Sequence, residues 1–291
     1  MGVFTAGERV LLIDGRDRRY LVRLDAGGSF QSHSGVVDFD AVIGAEEGTQ
    51  IVVRRREGAP GEPRRFLAFR PTLSDLILKM PRGAQVIYPK DLGAILIAAD
   101  LYPGARVFES GVGSGALSIA ALRAGCEVVG YELRADFAAR ARHNVEAATG
   151  TLAHYRVEER DAYEGIDESG FQRALLDLPE PWRVVPHLTS ALEPGGVLCA
   201  YLPSINQTAQ LRGVLGRCGF VLAETIEVLH RSWHIEGRSV RPDHRMVAHT
   251  GFLTSARLAA KGALLDPDHE SAGAESGWSE AGGEQAALTE E

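Results

Sequence analysis

Apolar residues alternate in short runs near the start of the chain and recur at helical spacing after Asp91, so the period of the pattern changes once along the sequence. Arg9–Asp14 and Arg19–Leu24 are alternating runs that flank Gly15-Arg16-Asp17, which predicts a hairpin. Ile51–Arg56 and Arg65–Arg70 are further strand candidates separated by a Gly/Pro-rich turn. These runs predict a small β-domain over residues 1–70, followed by a connecting segment over 71–90. Beyond it, Leu92, Ile95, Leu96 and Ala99 fall on one helical face before the break at Pro103-Gly104. A strand at Arg106–Ser110, a helix at Gly115–Arg123, a strand at Glu127–Leu133 and a helix at Phe137–Ala148 follow. Arg173–Asp177 and Val197–Leu202 read as buried strands, with helices between and after them. Such alternation predicts the α/β class, a Rossmann-like, doubly wound and mostly parallel sheet over residues 91–263.

Composition changes this picture at the C-terminus. Residues 264–291 are rich in Gly, Ala, Ser and Glu, with few large aliphatic residues and one aromatic, Trp278, too little apolar surface to offset ordering entropy, so an acidic, disordered tail is expected. After Lys261 the chain has eight acids and no Lys or Arg; without them, 31 acids face 31 bases, and the net charge of −8 belongs to the tail. A neutral body requires any RNA contact to come from local patches. Over the whole chain, 45% hydrophobic and 24% charged content suits a globular protein with a full core. No apolar run is long enough to span a membrane and no signal-like start is visible, so a cytoplasmic protein is expected. Cys126, Cys199 and Cys218 are far apart and odd in number, which predicts small core residues rather than a metal site or disulfides.

The candidate chemistry begins at Glu109-Ser-Gly-Val-Gly-Ser-Gly115. Gly111, Gly113 and Gly115 allow a sharp strand-to-helix turn and a close backbone approach by a ligand, although a tight turn without a ligand uses glycine too. Glu132 follows Gly111 by 21 residues at the end of the next strand, where an acid can accept both hydroxyls of a ribose. A dinucleotide site would show G-x-G-x-x-G; here the spacing is G-x-G-x-G, with Glu109 just before the turn. A carboxylate suits a ligand with a cationic amino-acid end and no phosphates, which favours S-adenosylmethionine over NAD.

Asp177-Leu-Pro-Glu-Pro-Trp182 follows the fourth strand. Asp177 is expected at the crevice where open α/β sheets bind ligands, with Pro179 and Pro181 stiffening the loop; capping the next helix is its plainer role. The loop resembles the Asp/Asn-Pro-Pro-aromatic loop of amino-group methyltransferases with one residue inserted, which leaves open which nitrogen is methylated. Adenine N1 has a lone pair and needs no base to remove a proton. A carboxylate that accepts from the N6 amine would orient the ring and offset the charge developing on it. Trp182 borders either this base pocket or the core.

Together these residues resemble one family, the tRNA adenine-N1 methyltransferases that modify adenine 58 of the T loop. The resemblance runs from about Phe4 to Leu258 and rests on Gln85-Val-Ile-Tyr-Pro-Lys-Asp91, the glycine turn, the Asp177 loop, Pro203 to Gln207, and Arg241-Pro-Asp-His-Arg-Met-Val-Ala-His-Thr250. It implies a cofactor site of Ser114, Gly115, Ala116 and Leu117 in the turn, Glu132 on the ribose, Phe137 on the adenine side and Asp161, ending the third strand, on the adenine amine. It also implies Asp177 as the catalytic aspartate, a homotetramer, and a tRNA that spans more than one subunit. Members often read His-Asp-x-Ile-Ile-Gly where this chain has Phe39-Asp40-Ala-Val-Ile-Gly44, and Gly-His-Thr where it has Ala248-His249-Thr250.

Candidate substrate contacts are Tyr88, Trp182, Tyr201, Gln207, Arg241, His244 and Arg245, and Arg54-Arg55-Arg56 and Arg64-Arg65 are candidate phosphate contacts. Solvated strand ends would equally account for the arginine runs, and His244 and His249 are expected to be structural. Two rival functions remain. One is a methyltransferase of another acceptor, such as protein carboxyl groups. The other is a non-catalytic tRNA-binding subunit, which the intact glycines, Glu132 and Asp177 disfavour.

Overall fold

The computed structural model describes residues 2–33, 35–54, 64–83 and 85–263. Arg55, Arg56, Trp278 and the expected acidic tail lie outside them. The N-terminal part is built from β1 (Arg9–Asp14), β2 (Arg19–Arg23), β3 (Ser29–Ser32), β4 (Gly35–Asp38), β5 (Gln50–Val52) and β6 (Arg65–Phe69). β1 and β2 pair antiparallel across the expected hairpin, and the antiparallel sheet runs β2-β1-β6-β5. The β3–β4 hairpin was not expected from the sequence, because Ser29, Gln31, Ser32 and Gly35 dilute its apolar alternation. Val10, Leu12, Leu24, Val37, Phe66 and Ala68 close a core of their own beneath it.

The segment expected only to connect folds instead. Thr72 caps α1 (Leu73–Lys79) through a reciprocal capping box with Asp75, and α2 (Pro89–Ala98) begins with proline in its first turn. The sheet that follows is assembled from β7 (Arg106–Ser110), α3 (Ala116–Arg123), β8 (Glu127–Tyr131), α4 (Ala135–Thr149), β9 (Tyr155–Glu158), β10 (Phe171–Leu176), α5 (Val185–Ala191), β11 (Leu192–Leu202) and α6 (Ile205–Arg217). Four more strands complete the chain: β12 (Phe220–Glu227), β13 (Trp233–Glu236), β14 (Ser239–Pro242) and β15 (Phe252–Leu258). Only helices were expected there. β15 reads poorly as a strand because Thr254 and Ser255 interrupt its apolar run, and β13–β14 is an exposed hairpin.

The seven-stranded order is β12-β15-β11-β10-β7-β8-β9, with β9 through β11 parallel and β15 antiparallel to both its neighbours. This is the mostly parallel, helix-covered sheet that the alternation predicted. Successive residues of each strand face opposite helix layers: Val107, Val128 and Leu175 pack with Ile95, Ile119 and Ala141, while Phe108, Val129 and Leu176 pack with Leu188 and Leu211. Cys126 and Cys199 are buried as expected, and Cys218 is half-buried. Strand order reverses between β7 and β10, which opens the crevice at their carboxyl ends. No helix among the described residues is long and apolar enough to cross a membrane.

Candidate active site

At the reversal point the glycine turn between β7 and α3 lies directly against the end of β10. Gly111 has φ +81°, and a side chain there would overlap the carbonyl of Asp177. The close approach that requires this glycine is therefore to the chain's own backbone. Gly113 is the more open position, with no atom nearer than 3.9 Å to an added carbon, and Gly115 starts α3 in the left-handed conformation against Ala141 of α4. Ser114, Ala116 and Leu117 are buried as the turn enters the helix.

Carboxylates ring this turn. Glu132 sits one residue past β8; its Oε2 accepts from Gly113 N–H at 2.9 Å and its Oε1 from Arg134 N–H at 3.0 Å, which braces the turn and leaves lone pairs available. Glu109 is fully buried in β7; its Oε2 accepts from Ser118 Oγ at 2.6 Å, and its Oε1 has no partner. Burial, with repulsion from Asp177 and Glu132, pushes the Glu109 carboxyl up to about 8. Asp177 follows β10 directly and keeps partial solvent contact. Desolvation, aided by the charge of Glu132, pushes its carboxyl up to about 7, and no group among the described residues donates a hydrogen bond to it. An orphaned buried carboxylate oxygen, a partnerless Asp177 and the braced Glu132 form an acid-lined crevice suited to a cationic ligand carrying a ribose.

Other expected residues are placed differently. Asp161 does not end a strand: β9 stops at Glu158, and Asp161 turns the following loop by accepting from Tyr163 N–H at 2.8 Å. It lines a cleft with Leu133, Glu159, Arg160 and Glu164. Phe137 is buried, its ring between Arg134 (4.2 Å) and Arg140 (5.4 Å) and facing Gly83. Leu133, not singled out in the sequence, is 68% exposed beside Glu132 in the Asp161 cleft; its place directly after Glu132 was the available signal. Asn144 of α4 was also missed. Its amide donates to the carbonyls of Pro81 (2.8 Å) and Ser114 (2.9 Å), clasping the segment before α2 to the glycine turn.

On the acceptor side the Asp177 loop is pinned from two directions. Gln207 donates to the Pro179 carbonyl at 2.9 Å, and Glu180 N–H donates to Tyr163 Oη at 3.2 Å. Gln207 therefore anchors the loop, and Trp182 is half-buried against the Phe108 layer of the core. Tyr201 of β11 donates its hydroxyl to the Thr250 carbonyl at 2.5 Å. Burial pushes that hydroxyl up to about 12, and the negative charges of Asp91 and Asp177 together with the Tyr88 hydroxyl act in the same direction. Tyr88 lines a groove with Arg245, Met246 and His230. His244 is exposed, while Arg241 faces His234 across the β13–β14 hairpin. His249 is engaged structurally, between Glu227 Oε1 (2.6 Å) and the Pro203 carbonyl (3.1 Å). Arg54 is held by Asp38 through two hydrogen bonds, and Arg65 by Gln50.

The chain as a whole is similar to known proteins. The family model described as the tRNA methyltransferase complex GCD14 subunit matches residues 66–241, and one for TrmI-like N-terminal regions matches residues 2–52. The tRNA (adenine(58)-N(1))-methyltransferase TrmI of Thermus thermophilus is 36% identical over 255 residues, which cover 85% of this chain and 96% of that one. Two solved structures superpose along most of the length. A SAM-dependent O-methyltransferase of Thermotoga maritima does so with a TM-score of 0.82 at 30% identity, covering 89% of this chain and 96% of its own. The tRNA (m1A58) methyltransferase TrmI of Aquifex aeolicus gives 0.74 at 32% identity, covering 88% and 98%. With a family model spanning more than half its length and a relative matched almost end to end, this chain belongs to the GCD14 family of tRNA methyltransferases and carries their S-adenosylmethionine-dependent fold.

Proposed function

We propose that the chain methylates N1 of adenine 58 in the T loop of tRNA. The observation that carries this is Asp177, a partnerless carboxylate held at the sheet's reversal point against the glycine turn. The Thermus relative, matched over nearly all of its length, is named for that reaction. When bound, S-adenosylmethionine supplies an electrophilic methyl group. Glu109 and Glu132 would hold its ammonium and ribose, Asp161 would meet the adenine amine, and the exposed Leu133 would cover the cofactor's adenine in place of the more deeply packed Phe137. Asp177 accepts a hydrogen bond from N6 of the target base. N1 brings its own lone pair, so no residue must remove a proton there, and the negative charge on Asp177 offsets the positive charge developing on the ring.

In this reading residues 91–263 carry the chemistry. The β-rich residues 1–70 present Arg16, Arg18 and Arg65, which share one depression, to the RNA backbone. Arg241, His244 and Arg245 approach the acceptor side. Assembly as a homotetramer is supported by Trp233, Ile235 and Val240, apolar residues left exposed on the β13–β14 hairpin. The cytoplasm, where tRNA is met, is the location this reading implies.

The test is incubation with methyl-labelled cofactor and an unmodified tRNA transcript, followed by mass spectrometry of the T-loop fragment. Label as 1-methyladenine at position 58 is expected; label confined to oxygen or carboxyl acceptors would overturn the reading. Asp177→Ala should lower kcat by about tenfold to a hundredfold with cofactor affinity within a few-fold.

A further inference from the structure

Behind Tyr201 lies a buried polar cluster that the reaction itself does not call on. Asp91, in the first turn of α2, is fully buried, and the ammonium of Lys90 beside it is almost so. Lys90 Nζ donates to Asp91 Oδ1 (2.7 Å), to the Val228 carbonyl (2.6 Å) and to Thr250 Oγ1 (2.6 Å). Thr250 Oγ1 in turn donates to Asp91 Oδ2 at 2.7 Å. The three side chains close a ring in which all three ammonium protons and both carboxylate oxygens are used.

We propose that Lys90, Asp91 and Thr250 are positioning residues for methyl transfer, holding Tyr201 and Tyr88 against the target base beside Asp177. The proposal rests on the adenine-methyltransferase reading of this site. The cluster joins three distant stretches: the start of α2, the residue after β12, and the approach to β15. Tyr88 is the residue that caps α2, two positions before Lys90. Tyr201 is gripped at its tip by the Thr250 carbonyl and along its ring by Gly251, where a side-chain carbon would fall 2.5 Å from the ring. A displaced Thr250 therefore moves the ring with it.

Stability alone is a poor reason for such a cluster. A buried ion pair gains little over well-packed apolar residues, because the attraction is spent on desolvation. Its benefit is geometric, since the ring closes only when the three segments are in register. A misplacement of about 1 Å at a reacting centre can cost as much as about a hundredfold in rate, so a residue that never touches base or cofactor can still set the rate.

The experiment measures kcat on tRNA transcript, cofactor Kd by calorimetry and thermal midpoint for four single variants and one double variant. Thr250→Val removes the hydroxyl at nearly constant shape and should lower kcat at least about tenfold with cofactor Kd within about twofold. Thr250→Ser keeps the hydroxyl and should return kcat to within about threefold of wild type. Gly251→Ala presses on the Tyr201 ring without disturbing the buried charges. It should lower kcat in the same way, which keeps the test open if Thr250→Val fails to fold. Thr250→Val should add little to Tyr201→Phe if both act through one ring. Wild-type kcat in Thr250→Val or in Gly251→Ala, or additive effects with Tyr201→Phe, would overturn the positioning role. A wild-type chain that leaves tRNA unlabelled would instead refute the adenine-methyltransferase reading itself, and that result is read before any variant.

Discussion

At position 111 an added methyl group would strike the Asp177 carbonyl and require a left-handed alanine. Gly111→Ala should therefore cost more than the roughly 1–3 kcal/mol of backbone strain alone, whereas Gly113→Ala, with open space around it, should cost only the strain. Urea denaturation of the two variants checks the difference. Asp177 itself should show in the pH profile. Its carboxyl stands at about 7, so kcat/KM should rise as pH passes through that value and the carboxylate forms, and Asp177→Asn should lose the rise. The sequence revealed Gly111 and Glu132 because their spacing within one strand-turn-helix-strand unit carries the signal, and Asp177 because the proline-rich Asp177–Trp182 loop follows a buried strand. The reason for Gly111 was only half visible: the sequence suggested a ligand against the glycine, and the structure puts Asp177 there. Lys90, Asp91 and Thr250 were present in quoted motifs, but hydrogen bonds spanning 159 and 160 residues leave no local pattern.

Among the elements, α1 is the clearest case of a signal present but passed over. At seven residues it is too short to show helical periodicity, yet Thr72 and Asp75 stand at capping-box spacing. Thr72→Ala should destabilise the protein by about 1 kcal/mol, measured by denaturant unfolding, with little effect on cofactor binding. The parallel strands β7, β8 and β10 were legible because burial on both faces gives continuous apolar runs. β12 was not: its residues are mostly half-buried or exposed, Leu222 has φ +53°, and its register with β15 shifts between Val221 and Glu224. The same holds for β13 and β14, whose apolar side chains face outward and so lack the core that alternation normally reports.

For the whole molecule, the crevice carboxyls set a dependence of stability on pH. Asp177 and Glu109 ionise near 3.8 and 4.5 in an unfolded chain, but near 7 and 8 when folded. Between those limits the folded state keeps protons that the unfolded state has released. Their contribution is thus complete below about 4 and lost as pH rises through about 8. The thermal midpoint of the ligand-free protein should fall across this window, and Glu109→Gln should flatten the fall; a midpoint that climbs over the same range would contradict the assignment. The sheet order has a different consequence, one of timing. β15, the last strand described, lies between β11 and β12, and Thr250 and Gly251 immediately precede it. A chain emerging from the ribosome can form the glycine turn and its ring of acids early, but the wall behind Tyr201 waits for β15 to slot in. Ligand-holding parts thus come first in synthesis, and a half-made chain has no finished pocket in which to act on RNA.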